Sequence, residues 1–365
     1  MAFPVTDAQK AMLLGSHEMS ARTVVLRNGQ SLGQIPVVDA QISATLRTQG
    51  GRDGVLTVPR TVIDSGLLNP LSDQVIIYTG VKGQFDVPVF TGRVDTNEDS
   101  SEGLVRCLLL STGAEAIRAQ FEVPWAATNG AQARVEMARI LHSINASWGV
   151  DFMDADATTI PPNLVWEVDP GQALDQMAQA ASLIWQPDRV GGFVIYNNPY
   201  AIGPSLGAFP VVTLRDGVGG TTVTVTNTSS RDGMWNSVTV VTERVNNTDP
   251  IRVTVKDTDP ASATFWGGPF GKQNLVVKNQ VPLDVTQSQS VATRILRQSL
   301  ALVRSFGITC PHMPILDPGD VFTLWYQNVV YSLVVESIDY SYNADMETFI
   351  TARELREIAL LEMFV

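Results

Sequence analysis

The chain is poor in the residue types that carry chemistry. Of its 365 residues only two are cysteine and three histidine. Cys107 and Cys310 stand far apart, which excludes a disulfide framework and any CxxC metal spacing. His17, His142 and His312 belong to no HExxH or clustered His/Asp pattern, so a metal-hydrolase ligand set is missing. Cys310-Pro311-His312 brings a thiol near an imidazole, but no third group orients the base, and the tripeptide reads as strand and turn. With no Cys/His pair or zinc signature to support hydrolysis, the expectation is a protein without catalysis, metal or cofactor.

Charge is also scarce. Asp and Glu number 37 against 25 Lys and Arg, a formal net charge of −12, and charged residues make up only 17% of the chain, against roughly 25% in ordinary soluble domains. That balance argues against the sequence-independent grip on DNA or RNA that a basic patch supplies. With a mean hydropathy of +0.08, the chain must have large cores or hide surface against partners. No apolar run approaches the ~20 residues of a membrane span. Met1–Ser20 lacks the basic segment and apolar run of an export signal, so synthesis in a cytoplasm is expected.

What is present is strand pattern. The length suits two or three domains of ~100–200 residues. From Thr23 to Leu110, short alternating stretches follow one another: Val38, Ala40, Ile42, Ala44 and Leu46 point to one face. Gly50-Gly51 and Asp53-Gly54 read as hairpin turns. Further strands are expected at Val55–Val58, Gln74–Thr79, Val87–Val94 and Leu104–Leu110. Residues 112–205 change period. Val135, Ala138, Leu141, Ile144 and Trp148 space an amphipathic helix that stops at Gly149. A second helix starts with Asp169 as N-cap, Pro170 in the first turn and Gln172 completing a capping box. Its apolar stripe is Leu174, Met177, Ala181 and Ile184 or Trp185, and Gly191–Tyr196 follows as a strand. Strands return at Thr221–Asn227, Ser237–Thr242, Ile251–Val255, Val321–Tyr326, Val329–Tyr340 and Glu347–Arg353, with turns at Gln327-Asn328 and Asn343–Met346. One long helix over 286–306 interrupts them, with Thr286 and Gln289 as its box and Gly307 as its stop. The fold class is mainly β with an α+β insert.

A faint internal repeat runs through this pattern. Leu68-Asn69-Pro70-Leu71-Ser72-Asp73 and Leu316-Asp317-Pro318-Gly319-Asp320 each place a proline and an aspartate ahead of an apolar strand, and a meander follows both. Either two related β-domains flank the insert, or any two Pro-turned meanders look this alike.

The order of parts resembles the baseplate-hub and tail-tip hub proteins of tailed bacteriophages, including the hubs of T4-like and Mu-like tails. More particularly it is similar to minor tail proteins of siphophages of high-GC Gram-positive hosts. The segments carrying the resemblance are Ala173–Ala180 running into Gly192-Phe193-Val194-Ile195, and Leu316–Val321 before the last meander. It implies tail-tube-like β-barrel domains at 1–111 and 206–365, the latter with the long helix and an apolar C-terminal tail, around a small α+β domain at 112–205. It implies a structural virion protein, a homotrimeric hub at the distal end of the tail that adapts a sixfold tube to a threefold tip. Implied partners are the distal tail protein or tube ring above and a tip fibre, spike or other minor tail proteins below. The tape measure protein would sit in the lumen, and DNA would pass without specific binding, which an acidic lumen favours.

Two segments read as contact elements. Thr264–Gly271 sets Phe265, Trp266 and Phe270 in a Gly/Pro loop, the composition of an interface anchor, although a loop folded onto its own domain has the same look. Ile358–Val365 ends the chain with the apolar Leu361 and Phe364. The rivals are a receptor- or carbohydrate-binding tail protein and, less supported, a cell-wall hydrolase. For a hydrolase, Asp151, Asp154 and Asp156 read as a solvated turn rather than as paired catalytic carboxylates. For a sugar binder, the seven tryptophans and seven tyrosines mostly fall in apolar patterns that mark core.

Overall fold

Strand alternation and the proline turns build the scaffold. The computed structural model describes residues 4–15, 17–46, 51–99, 102–153, 158–161, 163–203, 210–242, 250–279, 281, 283–301, 304–342, 346–355 and 360–364. The chain opens with a helix that its sequence pattern did not announce, α1 (Asp7–Leu14), where Thr6 and Gln9 exchange the two hydrogen bonds of a capping box. There follow β1 (Met19–Arg27), β2 (Gln30–Ile35), β3 (Asp39–Thr45), β4 (Arg52–Pro59), α2 (Arg60–Asp64), β5 (Asp73–Val81), β6 (Phe85–Asp99) and β7 (Leu104–Ser111). The insert comprises α3 (Thr112–Arg118), β8 (Trp125–Ala126), α4 (Ala133–Ile144), β9 (Val150–Phe152), β10 (Val165–Trp166), α5 (Pro170–Ala181), β11 (Leu183–Pro187), β12 (Phe193–Asn197) and α6 (Pro199–Ile202). The last part holds β13 (Thr213–Arg215), β14 (Thr224–Thr228), β15 (Ser237–Thr242), β16 (Arg252–Asp257), β17 (Asn274–Asn279), α7 (Val285–Ala301), β18 (Ser305–Pro311), β19 (Val321–Tyr326), β20 (Val329–Ser341), β21 (Glu347–Glu354) and β22 (Leu360–Phe364).

The protein is mainly β, and one large sheet carries both halves of the chain in the order β14-β18-β21-β20-β3-β4-β7-β6-β5-β1-β2, with β19 and β13 branching from β20. Among the described residues this sheet is open, with β14 and β2 at its ends. Its buried face forms one core, from Ile42, Leu56, Ile77 and Cys107 on one side to Phe306, Phe322, Ile338 and Ile350 on the other.

The faint repeat is a repeat of topology. Read outward, β3-β4-β7-β6-β5 and β14-β18-β21-β20-β19 have the same strand order and the same roles. Each contains a meander whose second and third strands slip by one residue, at Asp95 in β6 and at Glu336 in β20. When these bulges are superposed, the ladders agree: Thr57 faces Arg106, which faces Glu98, as Thr309 faces Phe349, which faces Asp339. The proline turns agree too. Asp73 accepts a hydrogen bond from Asn69 N (2.9 Å) and Asp320 one from Asp317 N (2.8 Å), in both cases the N–H just ahead of proline. The first loop is longer by one residue, with Leu71-Ser72 where the second has Gly319.

The second half carries an added module between β14 and β18. Its β15, β16 and β17 form a separate sheet, which β22 joins from beyond β21, and α7 covers it through Val291, Ala292 and Leu296 against Val238, Val240, Val253 and Val255. Residues 206–365 thus contribute to two sheets.

Several local expectations need correction. Asp53-Gly54 lies inside β4 and is no turn, because β4 passes so close to β3 that a Cβ on Gly54 would stand 2.5 Å from Ile42 Cδ1. Gly50, and the Asn343–Asp345 part of the expected turn, lie outside the described residues. α4 ends at Ile144 rather than Gly149; the expected Ala138, Leu141 and Trp148 are buried, but Val135 is 49% exposed, and Ala133, Met137 and Ile140 complete the buried stripe. Ile184 and Trp185 belong to β11, since Ser182 takes a left-handed conformation (φ 56°) and ends α5. α7 starts two residues earlier than expected, with Asp284 and Gln287 as its capping box, and Gly307 sits within β18. The Asp169 cap of α5 is as expected: its carboxylate accepts from Gln172 N at 3.0 Å. So is the β19–β20 turn, where Gln327 (φ 51°) and Asn328 (φ 63°) both adopt positive φ.

Candidate assembly surfaces

The junction between the halves is built on one long strand. The first residues of β20 pair with β19, up to Val334. Past the Glu336 bulge the same edge is taken by β3, with Ser337 opposite Thr45, Asp339 opposite Ser43 and Ser341 opposite Gln41. A bulge sharpens twist and turns the strand, which is how one edge serves two partners. Glu336 is anchored there by the Tyr200 hydroxyl and lies 3.7 Å from Arg353 Nη1. Across the seam the Ser43 hydroxyl donates to Asp339 Oδ1.

Directly opposed residues share a face, so the registers also define the open side of the large sheet. It presents Gln41, Ser43, Val55, Thr57, Thr309 and Thr351 among the carboxylates Asp39, Asp53, Glu98, Asp339 and Glu347. The arginines that share it are ion-paired, Arg106 with Glu98 at 3.3 Å and Arg353 with Glu336. Burial, and then the nearby charge of Asp339, lift the Asp53 carboxyl above its ordinary range. Hydroxyls and carboxylates thus recur on this face in both halves, with Leu108 and Phe349 exposed among them.

The insert is wedged between the halves by a buried ion cluster. Asp188 turns the chain between β11 and β12 by accepting from Val190 N (2.8 Å) and Gly192 N (2.7 Å). That turn aims Arg189 at the second proline loop, where its Nε donates to Asp317 Oδ2 at 2.7 Å and its other nitrogens donate to the Pro314 and Leu316 carbonyls. Arg52 of β4 donates to the other Asp317 oxygen and, at 3.0 Å, to Val89 O of β6. Burial opposes ionisation of Asp317, but the Arg189 and Arg52 charges outweigh it and hold the carboxyl at about 2. The sequence reading noticed Asp317 only as part of a turn; its arginine partners are far away in the chain and carry no local signal.

The aromatic loop is tied to its own sheet. Asp257 accepts from the Ser262 and Thr264 hydroxyls (2.7 and 2.6 Å), and Asn236 Nδ2 donates to Thr264 O and Gly271 O. Phe265, Trp266 and Phe270 are half-buried. Lys256 Nζ (5.0 Å from the centroid) and Lys272 Nζ (5.7 Å) both approach the Trp266 ring, and Arg231 sits over Phe270. Leu361 and Phe364 fall on β22, opposite Lys256 and Val253 of β16; Ile358 and Ala359 lie outside the described residues. The structure therefore brings Trp266 and Leu361 to the same strand, since both neighbour Lys256.

The other singled-out groups are placed as follows. Cys310 is buried, and burial pushes its thiol up to about 12. His312 is buried against Thr79 Oγ1 at 2.7 Å. Asp151 is exposed on β9, while Asp154 and Asp156 lie outside the described residues. Trp148, Trp166 and Trp185 are buried in the core of the insert, and Trp325 is 43% exposed beneath Arg215.

Among solved structures, a tail protein from Neisseria meningitidis MC58 superposes with a TM-score of 0.68 at 13% identity, over 92% of this chain and 96% of that one. The chain has a phage tail-protein fold. The 43 kDa tail protein of prophage MuSo2 from Shewanella oneidensis follows at 0.63 and 12% identity, covering 91% and 98%. A prophage tail protein from Listeria monocytogenes EGD-e gives 0.56 at 10% identity, covering 92% and 95%. No protein-family model matches, and no curated protein does. The likeness to tail and baseplate hub proteins read from the sequence holds at the level of this tail-protein fold.

Proposed function

We propose that the protein is a structural virion component, the homotrimeric hub at the distal end of a phage tail. The observation that carries this reading is the repeat: two half-sheets of the same strand order and register, joined by an in-chain seam. Three such chains present six near-equivalent sheets to a sixfold tube while keeping threefold symmetry for the tip. Each half is then the tube-like barrel unit of the ring, completed by its neighbours. The open acidic face lines the channel: carboxylates and paired arginines offer phosphate no counter-charge, so DNA moves through without being held. On this reading the tube ring or distal tail protein docks above and tip proteins dock below, with Phe265, Trp266, Phe270, Leu361 and Phe364 as contact candidates, and the tape measure protein occupies the lumen.

Mass photometry with low-resolution imaging of the purified chain tests the reading. A ring of three subunits around an open centre is the expected result. A monomer or an even-numbered assembly would overturn it.

A further inference from the structure

The repeat leaves two strand edges without the partner that their counterparts have. Within the chain, the outer edge of β3 is paired with residues 337–341 of β20. The counterpart of β3 in the second half is β14, which among the described residues pairs only with β18. The counterpart of residues 337–341 is the stretch of β6 after its own bulge, residues 96–99, which among the described residues pairs only with β7. We propose that neighbouring subunits join by pairing β14 of one copy with this stretch of β6 in the next, in the register that β3 and β20 use within one chain. The proposal rests on the trimeric hub reading and names the contact that would close it.

Carrying the register over puts Thr228 opposite Glu98, Asn227 opposite Asp99 and Ser229 opposite Asn97. The first pair reproduces the chemistry of the in-chain seam, since Thr228 stands where Ser43 stands and Glu98 where Asp339 accepts the Ser43 hydroxyl. The third pair answers an unmet need: Asn97 Oδ1 is buried without a hydrogen-bond partner, and a serine hydroxyl placed opposite can donate to it. The two seams differ in polarity for a physical reason. The in-chain seam buries Ile42 against Tyr340 and Ala44 against Ile338, whereas the second exposes threonines, Asn227, Glu98 and Asp99 on a free subunit, which must stay soluble before it assembles. The partner is a second copy of this chain.

The test is a register-specific cross-link in the full chain. Thr228→Cys with Glu98→Cys should give, on oxidation, covalent dimers and trimers that collapse on reduction, since opposed residues lie within disulfide reach. Cys107 and Cys310 are buried and do not compete. Ser43→Cys with Asp339→Cys serves as the internal standard and should bridge within one chain. Moving one cysteine two residues along, Thr226→Cys with Glu98→Cys, should abolish the ladder, because two residues shift it by about 7 Å. Thr228→Glu should loosen the trimer about fivefold per seam by like-charge repulsion, and adding Glu98→Thr should restore it. A trimer that stays unlinked while the in-chain standard bridges would overturn the seam and leave the hub reading standing. A chain that remains monomeric while the standard bridges would overturn both.

Discussion

Asp317 holds the insert and both halves together, so its removal is the sharpest test of how the molecule is locked. Its two oxygens accept from Arg52 and Arg189, all three side chains are buried, and the arginines come from β4 and from the β11–β12 turn. Asp317→Ala leaves two buried cations without a counter-charge. Breaking a buried pair in this way costs about 3–5 kcal/mol. The lower part of that range applies, because Arg189 keeps the Pro314 and Leu316 carbonyls and Arg52 keeps Val89 O. With a urea slope of about 3 kcal/mol/M the unfolding midpoint, followed by tryptophan fluorescence, should fall by about 1 M. Replacing the cluster as a unit (Arg52→Met, Arg189→Met, Asp317→Leu) should recover most of the loss, since apolar packing can replace a buried ion cluster. The carboxyl is held at about 2 in the fold, below the ~3.9 of an unfolded chain. Its stabilisation is therefore present above pH ~4 and fades as pH falls toward about 2. A midpoint shift below about 0.3 M would refute the reasoning and assign the lock to packing of Leu316 and Tyr340.

Other outcomes follow from the same structure. Burial, then the Arg189 charge, pushes His312 down to about 3, so the unfolded chain takes up a proton below pH ~6.5 that the folded one refuses, and stability drains by about 1.4 kcal/mol per pH unit from there toward pH 3. Urea titrations at pH 7 and 4.5 should show a loss about 2–3 kcal/mol smaller in His312→Gln. On the channel reading the unchanged chain should not retain duplex DNA, whereas Asp53→Lys with Asp339→Lys should retain it at low salt and release it as salt rises; no retention by the variant at low salt would remove the acidic face from the proposed channel. Phe265→Ser with Trp266→Ser should leave the subunit folded by circular dichroism yet impair its joining to neighbouring tail parts, and normal particle assembly would end the docking role of this loop.

Legibility followed the range of the interactions. β19 and the turn after it could be read directly, because alternation and the Gln327-Asn328 pair are local signals. The Asp169 cap and Pro170 marked the start of α5 for the same reason. Local signals failed where tertiary contact overrode them. Asp53-Gly54 has turn composition, yet Gly54 is there to let β4 approach Ile42. In α4 the spacing found Ala138, Leu141 and Trp148 but misplaced Val135, which is exposed, and missed Ala133, Met137 and Ile140. The assembly surfaces were hardest to see. Thr264–Gly271 stood out by composition, whereas Ser43, Asp339 and Glu98 are ordinary residues whose meaning depends on which strands lie side by side. Two proline turns suggested a repeat, but only the ladders reveal that it extends through five strands of each half.

The placement of the β15–β17 and α7 module has a consequence for how such chains can diversify. In the first half, β3 and β4 are linked by the few residues 46–51; in the second, the equivalent link between β14 and β18 accommodates three strands of a separate sheet and α7 without disturbing the register on either side. That link is a graft point. Cargo spliced between Leu46 and Gly51 should be carried by the same scaffold, beside the first half, while the strands of the shared sheet keep their order.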